Sequence, residues 1–268
     1  MPQSSVKSYS VEAYNISHAS ENKIHDDAIA QKLGFSGGLV PGVEVYGYMT
    51  YLAVEQWGRA WLEHGELEAR FLKPVYDGKT ATATARPAGT SLELEVHSEG
   101  IHCASGRASL GDPARRPPPI NDYPERAPNQ NRPPADEVSL APGVCLCAAP
   151  ITLTAELARD YLRDVRERHP IYAEAGLAHP GWLLRLCNST LKDNVTLQPW
   201  IHTGSKVRNY AAARIDDEVT ARARVVANYE RKGHRLVDLD TVIVAKGTTI
   251  IAQVLHTAVY RLRQLADA

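Results

Sequence analysis

The residues best equipped for chemistry lie in one polar stretch near the start of the chain: Ser20, Glu21, Asn22, His25, Asp26 and Asp27 fall within eight positions. Histidine can take up and release a proton near neutral pH. A neighbouring carboxylate could share that work, or hold the same water, across a loop of this length. Shortly afterwards comes Gly37-Gly38-Leu39-Val40-Pro41-Gly42, followed by a long apolar segment over 43–62 in which Val45, Tyr48, Met49, Leu52, Ala53, Gln56 and Ala60 recur at close to helical spacing. A helix opening at Gly42 would offer its first backbone N–H groups, at the positive end of the helix dipole, to an anion developing beside it. A proton carrier and an anion donor in one neighbourhood suit acid–base chemistry that passes through an oxyanion. Plainer readings apply to the same residues. A lone His at a loop–helix junction is commonly a structural hydrogen-bonder. Asp27 reads as a cap of a short helix over 28–33, and the glycines are accounted for by tight turns.

The elements that would position these residues occur twice. After the first apolar segment come four strand-like runs, 67–75, 80–86, 92–97 and 102–110, punctuated by Asp77-Gly78 and Glu99-Gly100. In the second half, Pro170-Ile171-Tyr172 leads through Gly176 to His179-Pro180-Gly181, then to an apolar segment over 182–191 and runs at 200–210, 219–231, 235–244 and 249–262. The segment 70–78 and the segment 206–211 occupy the same slot in each half, as do the alternating runs 80–85 and 219–224. Between the halves, 111–144 carries Pro117, Pro118, Pro119, Pro124, Pro128, Pro133 and Pro134. Proline removes donors and fixes φ, so this segment is expected to be an extended, semi-stiff linker. A central helix followed by antiparallel strands, repeated, predicts an α+β duplication with modules at 1–110 and 145–268 whose sheets pair edge to edge.

The order Asn22, His25, Asp27, Ala30, Gly34, Phe35 and Gly42, followed by the segment 71–78, resembles the MaoC-like acyl-CoA hydratase/dehydratase family, over about residues 5–110. The second half resembles it more loosely, through its layout and His179-Pro180-Gly181. The resemblance implies a double hot-dog fold, each module being a central helix wrapped by an antiparallel sheet. It implies a hydro-lyase acting at the 2,3 position of an enoyl- or 3-hydroxyacyl-CoA thioester. His25 would handle the proton, the Gly42 amide would face the thioester oxygen, and Asn22, Asp27 and Pro41 would line the substrate. The family's catalytic Asp falls on Ser20, a poor base, and Glu21 is the nearest carboxylate that could replace it if the loop is shifted. In the second half Tyr172 stands in the imidazole slot, His169 in the Asn slot and Glu167 in the acid slot, so only the first half is expected to be active. Two rival readings remain open. One is a non-catalytic acyl-CoA or small-ligand binding protein. The other is a thioesterase using Glu21 or Asp27. The five aromatic residues Tyr46, Tyr48, Tyr51, Trp57 and Trp61 read as core, with one or two lining an acyl tunnel.

The 268 residues carry a formal net charge of -1 with both signs interspersed, which argues against a nucleic-acid partner. No apolar run is long enough to span a bilayer, and Met1 to Ser10 lacks the apolar core of a signal peptide. A cytoplasmic protein is the expectation, with room for a homodimer. The four cysteines, Cys103, Cys145, Cys147 and Cys187, lack metal-site spacing and read as structural. No metal or cofactor is called for. Lys192, Lys206, Arg208 and Arg214 are the basic side chains available for coenzyme A phosphates.

Overall fold

A computed structural model describes residues 6–265; the outer ends of the two expected modules, 1–5 and 266–268, lie outside the described residues. The first half contains strand β1 (Lys7–Glu12), helices α1 (Asp27–Lys32), α2 (Gly42–Trp57) and α3 (Arg59–His64), then strands β2 (Gly65–Phe71), β3 (Thr80–Ala88), β4 (Ser91–Ser98) and β5 (Ile101–Leu110). The second half contains β6 (Cys145–Cys147), β7 (Ile151–Thr152), helices α4 (Ala155–Asp164), α5 (Ile171–Ala175) and α6 (Pro180–Lys192), then β8 (Ile201–Asn209), β9 (Glu218–Arg231), β10 (His234–Ala245) and β11 (Thr249–Arg261). The strands form one antiparallel sheet of order β1-β3-β4-β5-β2-β8-β11-β10-β9-β6, with β7 paired to β9. The halves join where β2 pairs β8, from Glu66 opposite Arg208 to Arg70 opposite Gly204. This is the expected α+β architecture, with α2 and α6 as the two central helices packed against each other.

Alternation explains which face each strand buries. In β3, Ala81, Ala83 and Ala85 are buried beneath α2 while the intervening threonines are half-exposed. Small side chains there let a bulky helix face approach, and α2 brings Tyr46, Tyr48, Met49 and Leu52 into that core. The apolar segment over 43–62 is not one helix. Gly58 has φ 57 and ψ -141, a conformation open essentially to glycine, and it divides α2 from α3.

The proline-rich segment departs from expectation. It is a strap packed along the second half, with Tyr123 on the outer face of the sheet and Leu140 on the side of α6. Tyr123 is buried and its hydroxyl donates to Asp240 Oδ2 at 2.7 Å, while Gln253 Nε2 donates to the Tyr123 oxygen at 3.2 Å. Leu140 is fully buried against β9 and β10, and the Ala135 and Gly143 amides donate to Thr196 O and Val225 O. Prolines leave fewer backbone donors to satisfy, so such a strap can lie against a sheet without ladder pairing.

Candidate functional site

His25 ends a short 3-10 turn, Lys23–His25, that Asn22 caps. Its Nδ1 lies 2.6 Å from Leu39 O. A carbonyl only accepts, so Nδ1 carries the hydrogen and Nε2 presents a lone pair. The Asn22 amide group lies 3.3 Å from Nε2 and also donates to Trp200 O at 3.0 Å, while its oxygen accepts from Trp200 N at 3.2 Å. Asn22 therefore clasps the loop of the first half to the start of β8. Burial pushes the His25 pKa down to about 4, with the Leu39 carbonyl opposing that shift and Arg185 adding to it, so the ring is neutral at physiological pH.

Helix α1 is capped by Asp26, whose carboxylate accepts from Ile29 N at 3.0 Å. Capping had been expected of Asp27. Asp27 is instead the first helical residue, and its Oδ1 accepts from Gly38 N at 2.7 Å. Gly38 is needed there: a Cβ would lie 2.3 Å from His25 O. Asp27 thus fixes the turn behind His25 and does not line the cleft.

His25, Asn22, Pro41 and Gly42 line one cleft of about 1170 Å³. One wall comes from the first half, through Phe71, Lys73 and Tyr76. The other comes from the second half, through Trp200, His202, Ser205 and Leu255. Pro41 occupies the N-cap of α2 and supplies no side-chain hydrogen bond. The opening amides of α2 are therefore not consumed by their own cap. The corresponding position in the second half is different. His179 caps α6, accepting from Gly181 N at 3.0 Å through Nδ1, while its Nε2 lies 3.1 Å from Glu167 Oε2. Burial works to raise the Glu167 carboxyl, but the His179 hydrogen bond and two backbone amides hold it below its usual value. Both ring nitrogens of His179 are engaged, Tyr172 is fully buried beside it, and the pair is shut off from solvent. His169, in the slot matching Asn22, is half-buried and its Nδ1 accepts from Ile171 N.

Two expected participants are placed outside the cleft. Ser20 Oγ donates to Asn22 O at 3.3 Å. Glu21 is exposed and forms an ion pair at 2.8 Å with Arg132 of the strap, which holds its carboxyl below the usual range. That partner lies 111 residues away in sequence, and the pair points Glu21 away from the cleft. Among the described residues, the carboxylate that does line the cleft is Glu68, half-buried and paired with Arg70 at 3.0 Å.

Of the four basic residues singled out, Lys206 lines the cleft. Lys192 pairs with Asp193 and Arg208 with Glu66. Arg214 is not among the lining residues, whereas Arg70, Lys73, Arg231, Lys232 and Arg263 are. Tyr46, Tyr48 and Trp61 are core, and the aromatic wall is made by Phe35, Phe71, Tyr76, Trp200 and Tyr229. His202, Ser205 and Asn188 were not anticipated either.

Among the described residues, no helix is long and apolar enough to cross a membrane, and all four thiols are free. No family model matches the chain, and no curated protein matches it in sequence. Solved structures do match. A conserved hypothetical protein from Mycobacterium tuberculosis with a double hot-dog fold superposes with a TM-score of 0.65 at 13% identity, covering 97% of this chain and 96% of its own. A protein from Chloroflexus aurantiacus described as a MaoC domain dehydratase gives 0.60 at 11% identity over 98% and 96%. The dehydratase domain from the CurJ module of curacin polyketide synthase gives 0.57 at 12% identity over 98% and 95%. The chain has the double hot-dog fold, shared over nearly its whole length with dehydratases of the MaoC type.

Proposed function

We propose that the cleft is the site of a hydro-lyase that adds or removes water at the 2,3 position of an acyl thioester. The observation that carries this reading is the pairing of His25 Nε2, an imidazole lone pair fixed by Leu39 O, with the uncapped start of α2 at Gly42 in the same cleft. In the dehydration direction, His25 Nε2 takes the α-proton. The C–H electrons pass to the thioester oxygen, which is stabilised by the helix-opening amides. The C3–O bond then breaks, and the oxygen leaves as water with the proton from His25. One group can thus serve as base and then acid, so the scheme does not require a carboxylate beside His25. Dehydratase fold neighbours agree with this reading at the level of reaction class. The basic rim suits a phosphorylated carrier such as coenzyme A.

That no carboxylate lies beside His25 among the described residues favours a second reading, an acyl-thioester binding protein without turnover. Thioester hydrolysis through Glu21 or Asp27 has no such support, since one is in a surface ion pair and the other holds Gly38. Spectrophotometric hydration of crotonyl-CoA distinguishes the two remaining readings. The hydro-lyase turns over, and His25→Ala lowers kcat/KM by about 10²–10⁴-fold, the usual worth of a general acid–base group. Binding without turnover in the unmodified protein supports the second reading.

A further inference from the structure

On the wall contributed by the second half, three buried side chains form an array: His202 and Ser205 on β8 and His256 on β11. His202 Nε2 lies 3.1 Å from Gly204 O and 2.8 Å from Ser205 Oγ. The carbonyl can only accept, so Nε2 carries the hydrogen and Nδ1 is a bare lone pair. Ser205 Oγ in turn lies 3.0 Å from His256 Nδ1. The His202 ring is stacked on His256 at 4.2 Å and meets Phe71 edge-on at 4.7 Å, so its orientation is fixed on every side but one. Burial, together with the neighbouring His256, keeps the His202 pKa well below the ordinary value, with the Gly204 carbonyl opposing; the ring is neutral.

His202 lines the cleft, and its Nδ1 is buried against the start of α2 with no hydrogen-bond partner among the described residues. A Cβ at Gly42 would lie 3.1 Å from that nitrogen, so the lone pair sits against the residue that opens α2. An unpartnered buried acceptor costs about 1–3 kcal/mol, a cost removed when a ligand brings a donor to it. A 2-enoyl thioester carries no donor near its carbonyl. The 3-hydroxyacyl form carries one, two carbons along from the group that faces Gly42. Resting on the functional reading above, we propose that His202 Nδ1 accepts the hydrogen bond of the substrate's 3-hydroxyl, or of the water that becomes it. His202 exchanges no proton in this role. It holds the oxygen so that the lone pair of His25 and the leaving group share one face of the acyl chain, supplying the acceptor that Ser20, outside the cleft, does not.

The test is ligand binding in a His25→Ala background, which prevents turnover. Affinities for 3-hydroxybutyryl-CoA and butyryl-CoA are compared by calorimetry with His202 intact and with His202→Phe, His202→Asn and His202→Gln. His202→Phe is expected to weaken 3-hydroxybutyryl-CoA about tenfold, the worth of one hydrogen bond, and to leave butyryl-CoA unchanged. His202→Asn, whose amide oxygen can occupy the Nδ1 position, recovers most of the loss, and His202→Gln, whose amide reaches the Nε2 position, does not. If the Phe variant fails to fold, the Asn and Gln pair carries the same contrast. Equal weakening of both ligands, or of neither, overturns the proposal while leaving the thioester reading of the cleft intact. Failure of butyryl-CoA to bind with His202 intact overturns the thioester reading and this proposal with it.

Discussion

The neutrality of His25 has a consequence for folding that can be measured without substrate. The ring is largely buried, and its pKa falls from an ordinary 6.5 to about 4. Between those values the unfolded chain binds a proton at this residue and the native protein does not, so lowering the pH favours unfolding. Stability from this group is fully present above pH 6.5 and is lost as the pH falls through 4. Linkage gives a loss of about 2 kcal/mol by pH 5 and about 3 kcal/mol by pH 4, relative to pH 7.5. His256, held down to about 3 by burial, and His202 add losses of the same sign in the same window. The perturbation is therefore His25→Gln, which removes only its own share. Urea unfolding of both proteins at half-unit steps from pH 7.5 to 4.5 yields a difference curve. The His25→Gln protein is expected to start lower at pH 7.5, having lost the bond to Leu39. It then converges on the unmodified protein by about 2 kcal/mol near pH 5. A difference that stays constant with pH would show that His25 titrates alike in both states. The assignment of a neutral ring with Nε2 unprotonated would then fail.

Three further expectations follow from buried groups. Glu44 on α2 is fully buried with Oε2 unpartnered, and burial raises its carboxyl to about 7 despite Arg185 at 3.3 Å. An acid with a raised native pKa destabilises increasingly as the pH climbs from 4.5 through 7, so Glu44→Gln should raise Tm at pH 8 and show little gain at pH 4.5, read by calorimetry. Tyr123→Phe removes the strap's hydrogen bond to Asp240 and should cost about 1–3 kcal/mol in urea unfolding; a strap that were only a spacer would show no change. Tyr172→Phe should leave crotonyl-CoA turnover unaltered, because the ring is buried away from the cleft beside the closed His179–Glu167 pair; a loss like that of His25→Ala would place the chemistry in the wrong half.

The repeated architecture was readable because its signals are local. Alternation over 80–85 and 219–224, helical spacing after Pro41 and the apolar run after Gly181 each declare an element within a dozen residues. His25 and Gly42 were readable as a pair for the same reason. What was missed depends on distant partners. The strap's packing rests on Tyr123 meeting Asp240 and Leu140 meeting β9, contacts made across about a hundred residues. Glu21 pairs with Arg132, far along the chain, a contact that no local signal marks. The exchange of roles between Asp26 and Asp27 turns on one residue of helix phase, finer than periodicity resolves. His202 sits in a strand of mixed polarity where nothing nearby marks it, and only the pairing of β8 with β2 and β11 brings it to Gly42.

The central claim is that an acyl thioester lies between His25 and the opening of α2. A crystal structure of His25→Ala with 3-hydroxybutyryl-CoA tests it most directly. The account predicts the thioester oxygen within about 3 Å of the Gly42 amide nitrogen, the reach of an oxyanion donor, with the α-carbon facing the space vacated by the imidazole and the phosphates among Lys73, Lys206 and Arg263. A thioester bound with its carbonyl turned away from α2, or seated anywhere outside this cleft, would contradict it.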